Sequence, residues 1–198
     1  TIMALMKKPA SGWVLRRTVL ALSIAWCGSV LLPWSQIPAQ AQGVPAASSG
    51  PIVVLGDSLS AEYGIARGAG WVELLREQGD RRTVVNASIS GETSAGGRSR
   101  IDALLRRQHP SLLILELGGN DALRGLDLAA SRANLGEIVR RAQQAGARVV
   151  ILGMKVPPNY GKAYGESFER LFADLARETG ASLVPFFLEG IAERLDLF

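Results

Sequence analysis

The 198-residue chain has one cysteine, one histidine and no apolar run long enough to cross a bilayer. Cys27 lies within the first 41 residues, so the rest of the chain offers no disulfide, no thiolate nucleophile and no cysteine metal site. The longest apolar run, Val19 to Leu32, has 14 residues, short of the roughly 20 that a spanning helix needs. Neither Gly-x-Gly-x-x-Gly nor Gly-x-x-x-x-Gly-Lys-Ser/Thr occurs, which removes the two common phosphate-cradling loops and with them the main argument for a non-enzymatic phosphate binder. Charge of one sign is also missing where it would matter. Lys7, Lys8, Arg16 and Arg17 carry the whole net charge of +4, and the remainder is balanced, 18 basic against 18 acidic residues. No nucleic-acid footprint is expected.

The basic start, the apolar run, Pro33 and the small-x-small triplet Ala39-Gln40-Ala41 read as a signal peptide over residues 1–41. Cleavage after Ala41 and a periplasmic or secreted location are expected, with a retained amino-terminal anchor as the alternative. Arg16-Arg17 before the run leaves the twin-arginine route open beside the general one. Residues 42–50 form a small-residue linker, and 51–198 a single domain. The start at Thr1-Ile2 ahead of Met3, and the stop at Leu197-Phe198, lead us to expect a fragment at both ends.

Apolar runs at 52–55, 83–87, 112–117, 148–153 and 182–186 alternate with segments of helical period. That alternation implies βαβ units and a five-stranded parallel sheet. Leu135, Ile138, Val139 and Ala142 make one buried stripe before Gly146, and Phe168, Leu171, Phe172, Leu175 and Ala176 another before Gly180. Trp71, Leu74 and Leu75, and Ile101, Leu104 and Leu105, mark two further helices with core roles. Arg98, Arg106, Arg107, Arg140 and Arg141 are expected on solvated faces.

In a parallel sheet the carboxyl ends of all strands share one edge, where ligands bind. There the first strand delivers Gly56-Asp57-Ser58-Leu59-Ser60, the second Ser88-Ile89-Ser90-Gly91-Glu92-Thr93, and the third Gly118-Gly119-Asn120-Asp121. A serine hydroxyl beside the N–H groups of Ser58 and Gly91 and the amide of Asn120 is what acyl transfer requires: a nucleophile and donors aimed at the developing oxyanion. Glycine at 91 lets substrate approach the backbone closely. After strand four, Met154-Lys155-Val156-Pro157-Pro158-Asn159-Tyr160-Gly161 reaches the same edge, and its apolar and aromatic members could line an acyl groove.

These blocks, together with Val85-Asn86-Ala87-Ser88, Glu116-Leu117 and Pro185-Phe186-Phe187, resemble the GDSL or SGNH hydrolases across residues 52–198. The resemblance implies a flavodoxin-like three-layer α/β/α fold with strand order 2-1-3-4-5 and no metal or other cofactor. It implies Ser58 as nucleophile, Ser58, Gly91 and Asn120 as oxyanion hole, and Asp57 as support for the turn. The implied substrates are small acyl esters or thioesters, as for arylesterases, acyl-CoA thioesterases and lysophospholipases. Pro157, Tyr160 and Leu123 are the expected substrate-binding residues, in loops that set chain-length preference, and a monomer is expected. Ala122 stands where relatives often have glycine.

One departure stands out: the family's Asp-x-x-His motif does not occur, and the only histidine is His109. It precedes the third strand at the amino edge, about 20 Å from Asn120 over six strand residues. A general base needs hydrogen-bond reach of the nucleophile, so His109 is expected to be a surface residue. Truncation before the motif is the favoured explanation. The 198 residues alone are then expected to turn over slowly or not at all. The alternatives are a carbohydrate acetylesterase of the same fold, or an inactive fragment or binder.

Overall fold

A computed structural model describes residues 49–78 and 83–194. Five parallel strands, β1 (Ile52–Gly56), β2 (Val84–Asn86), β3 (Leu112–Glu116), β4 (Arg148–Leu152) and β5 (Ser182–Val184), form one sheet in the order β2-β1-β3-β4-β5. Every residue of β1 and β3 is buried, which is why the central strands read as unbroken apolar runs rather than alternating ones. Between them the register is continuous, from Ile52 opposite Leu112 to Gly56 opposite Glu116. The two strands therefore release their chains side by side at one edge.

The helices are α1 (Trp71–Gln78), α2 (Ser94–Gln108), the single turn α3 (Gly119–Leu123), α4 (Leu128–Gln144) and α5 (Lys162–Thr179). Thr93 opens α2 by accepting the Gly96 N–H, and Asp127 opens α4 by accepting that of Ala129. Left-handed Gly180 closes α5. The strand order reverses direction after β2, so right-handed crossovers put α2, α4 and α5 on one face and α1 on the other. Val53, Leu55, Leu113, Leu115 and Ile151 meet Ile101, Leu135, Ile138, Phe168 and Phe172 on the first face, where the two phenylalanine rings cross edge to face at 5.1 Å. Ile52, Val54, Ile114 and Leu152, also buried, point to the second.

The stripes expected of α2, α4 and α5 are buried as read. In α1 the expectation needs correcting: Leu74 is 48% exposed, Trp71 and Leu75 are half-buried, and Val72 is the buried residue. With eight residues packed chiefly on the short edge strand β2, α1 has little sheet to cover, and its stripe is one residue wide. Arg141 is likewise less solvated than expected, lying between Glu137 and Asp102 with bonds of 2.8 Å to each. Among the described residues no helix is long and apolar enough to cross a membrane.

Candidate active site

Beyond Gly56 the chain turns sharply, and its backbone donors are almost all used. The Asp57 N–H donates to Glu116 Oε2 at 3.1 Å, Leu59 N–H to Asp57 Oδ1 at 3.1 Å, and the N–H groups of Ser60 and Ala61 to the Asp57 carbonyl at 3.2 and 2.9 Å. From 57 to 61 only the Ser58 N–H lacks an acceptor among the described residues, and the Ser58 hydroxyl lacks a partner there too. Ser58 is half-buried on the wall of a cleft, which is where an unmatched donor and hydroxyl can meet a ligand.

Two further loops bring their donors to the same edge. Gly91 has φ 77° and an N–H with no acceptor among the described residues, while its carbonyl accepts from Arg124 Nη2 at 2.9 Å. A Cβ at 91 would meet only the far end of Arg124, at 3.4 Å. The left-handed backbone, more than any lack of room, requires glycine there. Asn120 lies not in an open loop, as its Gly-Gly prelude suggested, but in α3, entered through left-handed Gly118 at φ 111°. Its Nδ2 donates to Asp57 Oδ2 at 2.9 Å and to the Glu92 carbonyl at 3.1 Å. Both amide hydrogens are thus engaged, and serving a substrate oxygen means exchanging one of these acceptors for the ligand.

Three buried carboxyl groups hold these loops together. Asp121 accepts the N–H of Ser94 at 2.8 Å and the hydroxyls of Ser94 and Ser131, the latter at 3.0 Å, and so ties the starts of α2 and α4 to α3. Burial raises the Asp57 carboxyl above its ordinary value; the Leu59 N–H and Asn120 amide oppose the shift, and the charges of Glu92 and Asp121 add to it. Glu116 is wholly buried, and burial, reinforced by the Asp57 charge, pushes its carboxyl up to about 8. At neutral pH it is mostly protonated. Oε2 accepts from the Asp57 N–H and from Ser60 Oγ, at 2.8 Å, while Oε1 has no hydrogen-bond partner among the described residues.

The cleft beside Ser58 holds about 230 Å³ and is lined by Asp57, Ser58, Leu59, Gly119, Asn120, Leu123, Met154, Lys155, Val156 and Pro157. Of the expected substrate residues, Leu123 and Pro157 are on its wall. Tyr160 is not: its hydroxyl donates to the Leu123 carbonyl at 3.1 Å, and its ring stacks at 6.3 Å on Tyr164, which donates to the Ala122 carbonyl. It anchors the wall instead of forming it. A larger hollow of about 390 Å³, between β5 and α5, is lined by Lys155, Glu169, Arg170 and Phe186 among others and contains no candidate nucleophile.

His109 caps α2 in the left-handed region, at φ 45°, and is exposed at the amino end of β3. The five residues of β3 put it roughly 16 Å from the Asn120 edge, out of reach of Ser58. Among the described residues no group of three or more His, Cys, Asp or Glu side chains could hold a metal. Met154 is on the cleft wall, as expected of the apolar members of its loop, whereas sequence reasoning passed over Lys155 there, Arg124 as the clamp on Gly91, and Glu116. The last had a signal, an acid at the end of an otherwise apolar strand.

The model of the GDSL-like lipase/acylhydrolase family matches residues 54–197. Esterase TesA of Pseudomonas aeruginosa is 43% identical over 175 residues, covering 86% of this chain and 82% of that protein. Thioesterase 1/protease 1/lysophospholipase L1 of Escherichia coli K12 is 40% identical over 147 residues, covering 74% of this chain and 71% of that one. A crystal structure of TesA superposes with a TM-score of 0.72 at 45% identity, over 75% of this chain and 84% of that chain.

Proposed function

The chain belongs to the GDSL-like lipase/acylhydrolase family and is an ester and thioester hydrolase of the SGNH type, and we propose that it acts through an acyl-enzyme on Ser58. One observation carries this: in a turn whose other N–H groups all have acceptors, the donor of Ser58 is left open beside its own hydroxyl. Ser58 Oγ attacks the acyl carbon. The carbonyl oxygen takes the negative charge and is met by the N–H groups of Ser58 and Gly91 and by the Asn120 amide. Collapse expels the alcohol or thiol, which takes up the proton that the base removed from Ser58; water, deprotonated by the same base, then attacks the acyl carbon and releases the acid, and the proton returns to Ser58 Oγ. The proton acceptor for Ser58 is not His109; in the family pattern an Asp-x-x-His pair fills that role.

The cleft supports acyl chains over sugars as substrates. Leu59, Leu123, Met154, Val156 and Pro157 present aliphatic surface, and no aromatic ring lines it for a sugar to stack on. That weighs against a carbohydrate acetylesterase. Residues 1–41 support export to the periplasm or medium with cleavage after Ala41, checked by amino-terminal sequencing of the exported protein.

A fluorophosphonate probe tests the nucleophile. Covalent labelling of the full-length protein, abolished in Ser58→Ala, is the expected result. Labelling that survives Ser58→Ala would place the reactive group elsewhere.

A further inference from the structure

We infer that Glu116 is the positioning residue for the nucleophile, holding from beneath the sheet edge the turn on which Ser58 stands. The inference rests on the Ser58 reading above. Glu116 Oε2 takes the N–H of Asp57 on one side of Ser58 and the hydroxyl of Ser60 on the other, at 3.1 and 2.8 Å. Ser58 is therefore suspended between two points fixed by the same oxygen atom. Glycine at 56, opposite Glu116 in the β1–β3 register, makes the arrangement possible: a Cβ there would come within 2.7 Å of Oε2 and 2.6 Å of Ser60 Oγ.

The alternative role, a merely structural buried acid, does not account for the particulars. A buried carboxyl with Oε1 unpartnered is an expensive way to fill space at the end of an apolar strand. Leucine, which occupies 112, 113 and 115 of the same strand, would pack more cheaply. What leucine cannot do is accept from two donors that bracket one residue. If the turn relaxes, the Ser58 N–H and hydroxyl lose their fixed relation to Gly91 and Asn120, and misplacement on the order of 1 Å costs about 10² in rate.

The test uses full-length protein, reading fluorophosphonate labelling rate, kcat and KM on a short-chain p-nitrophenyl ester, and thermal midpoint together. Glu116→Leu is expected to lower kcat and the labelling rate by about 10² with KM changed little. Glu116→Gln keeps a carbonyl oxygen for both donors and an N–H₂ in place of the acid proton, and is expected to rescue most of that loss. Ser60→Ala removes one support and is expected to cost about tenfold. Should Glu116→Leu fail to fold, Ser60→Ala and Glu116→Gln still decide. Parent-like kcat in Ser60→Ala, or a Glu116→Gln variant as slow as Glu116→Leu, overturns the inference. Labelling that persists in Ser58→Ala sinks the hydrolase reading instead, so the two failures are distinguishable.

Discussion

Asn120 Nδ2 lies 2.9 Å from Asp57 Oδ2, so the amide carried by α3 is aimed by the residue that precedes Ser58. The same Asp57 carboxyl accepts the Leu59 N–H and so also shapes the turn around Ser58. Ser58 and the Asn120 amide are not independent parts: one acid orients both.

Asn120→Ala is expected to lower kcat by 10²–10³, the usual effect of losing one oxyanion donor. Asp57→Asn leaves Asn120 in place but faces its amide with another amide. We expect a smaller fall, about tenfold to 10², because the donor survives with its orientation loosened. Steady-state hydrolysis of p-nitrophenyl esters measures both. Equal losses in the two variants would mean that Asp57 does more than orient.

The Glu116 carboxyl gives stability a definite pH slope. Folded, it titrates at about 8, whereas its ordinary value is 4.5. Between these values the folded chain keeps a proton that the unfolded chain has lost, so the contribution is full below pH 4.5 and is lost as pH rises to 8. Glu116→Gln lacks that titration. Its stability relative to the parent is expected to improve from pH 5 to pH 8 by roughly 1 kcal/mol per pH unit at most. Urea unfolding at the two pH values checks this, and an unchanged difference would show that the carboxyl ionises normally in the fold.

Gly91→Ala places a side chain at φ 77°. A cost of about 1–2 kcal/mol in stability is expected from the left-handed backbone. If the turn relaxes to relieve it, the N–H donor moves and kcat falls by about 10²; thermal melts and kinetics separate the two effects.

His109 is expected to be dispensable for catalysis. His109→Asn keeps a residue that tolerates the left-handed cap of α2 and should leave both kcat and the thermal midpoint within error of the parent. His109→Val, β-branched at φ 45°, is expected to lower the midpoint while kcat stays put. A loss of activity in His109→Asn would require a route between opposite sheet edges.

The strands were readable because their signal is local: a run such as Leu112–Glu116 is apolar throughout only if both faces are covered. Ser58, Gly91 and Asn120 could be gathered from the same information, since parallel strands end at one edge whatever their order. Less legible was whatever depends on several elements at once. Leu74 has helical spacing, yet its helix sits on the short edge strand; Tyr160 has the right chemistry for a groove wall, yet its hydroxyl is spent on Leu123.

Order along the chain thus determined which elements form and which residues reach the carboxyl edge of the sheet, because hydrophobic periodicity and strand direction are properties of contiguous residues. The tertiary structure alone decided which hydrogen bonds those residues make. Glu116 beneath the Ser58 turn, Asn120 against Asp57 and Arg124 on Gly91 join positions 59, 63 and 33 residues apart. Contacts at that separation follow from sheet register and helix placement, which no single stretch of sequence contains.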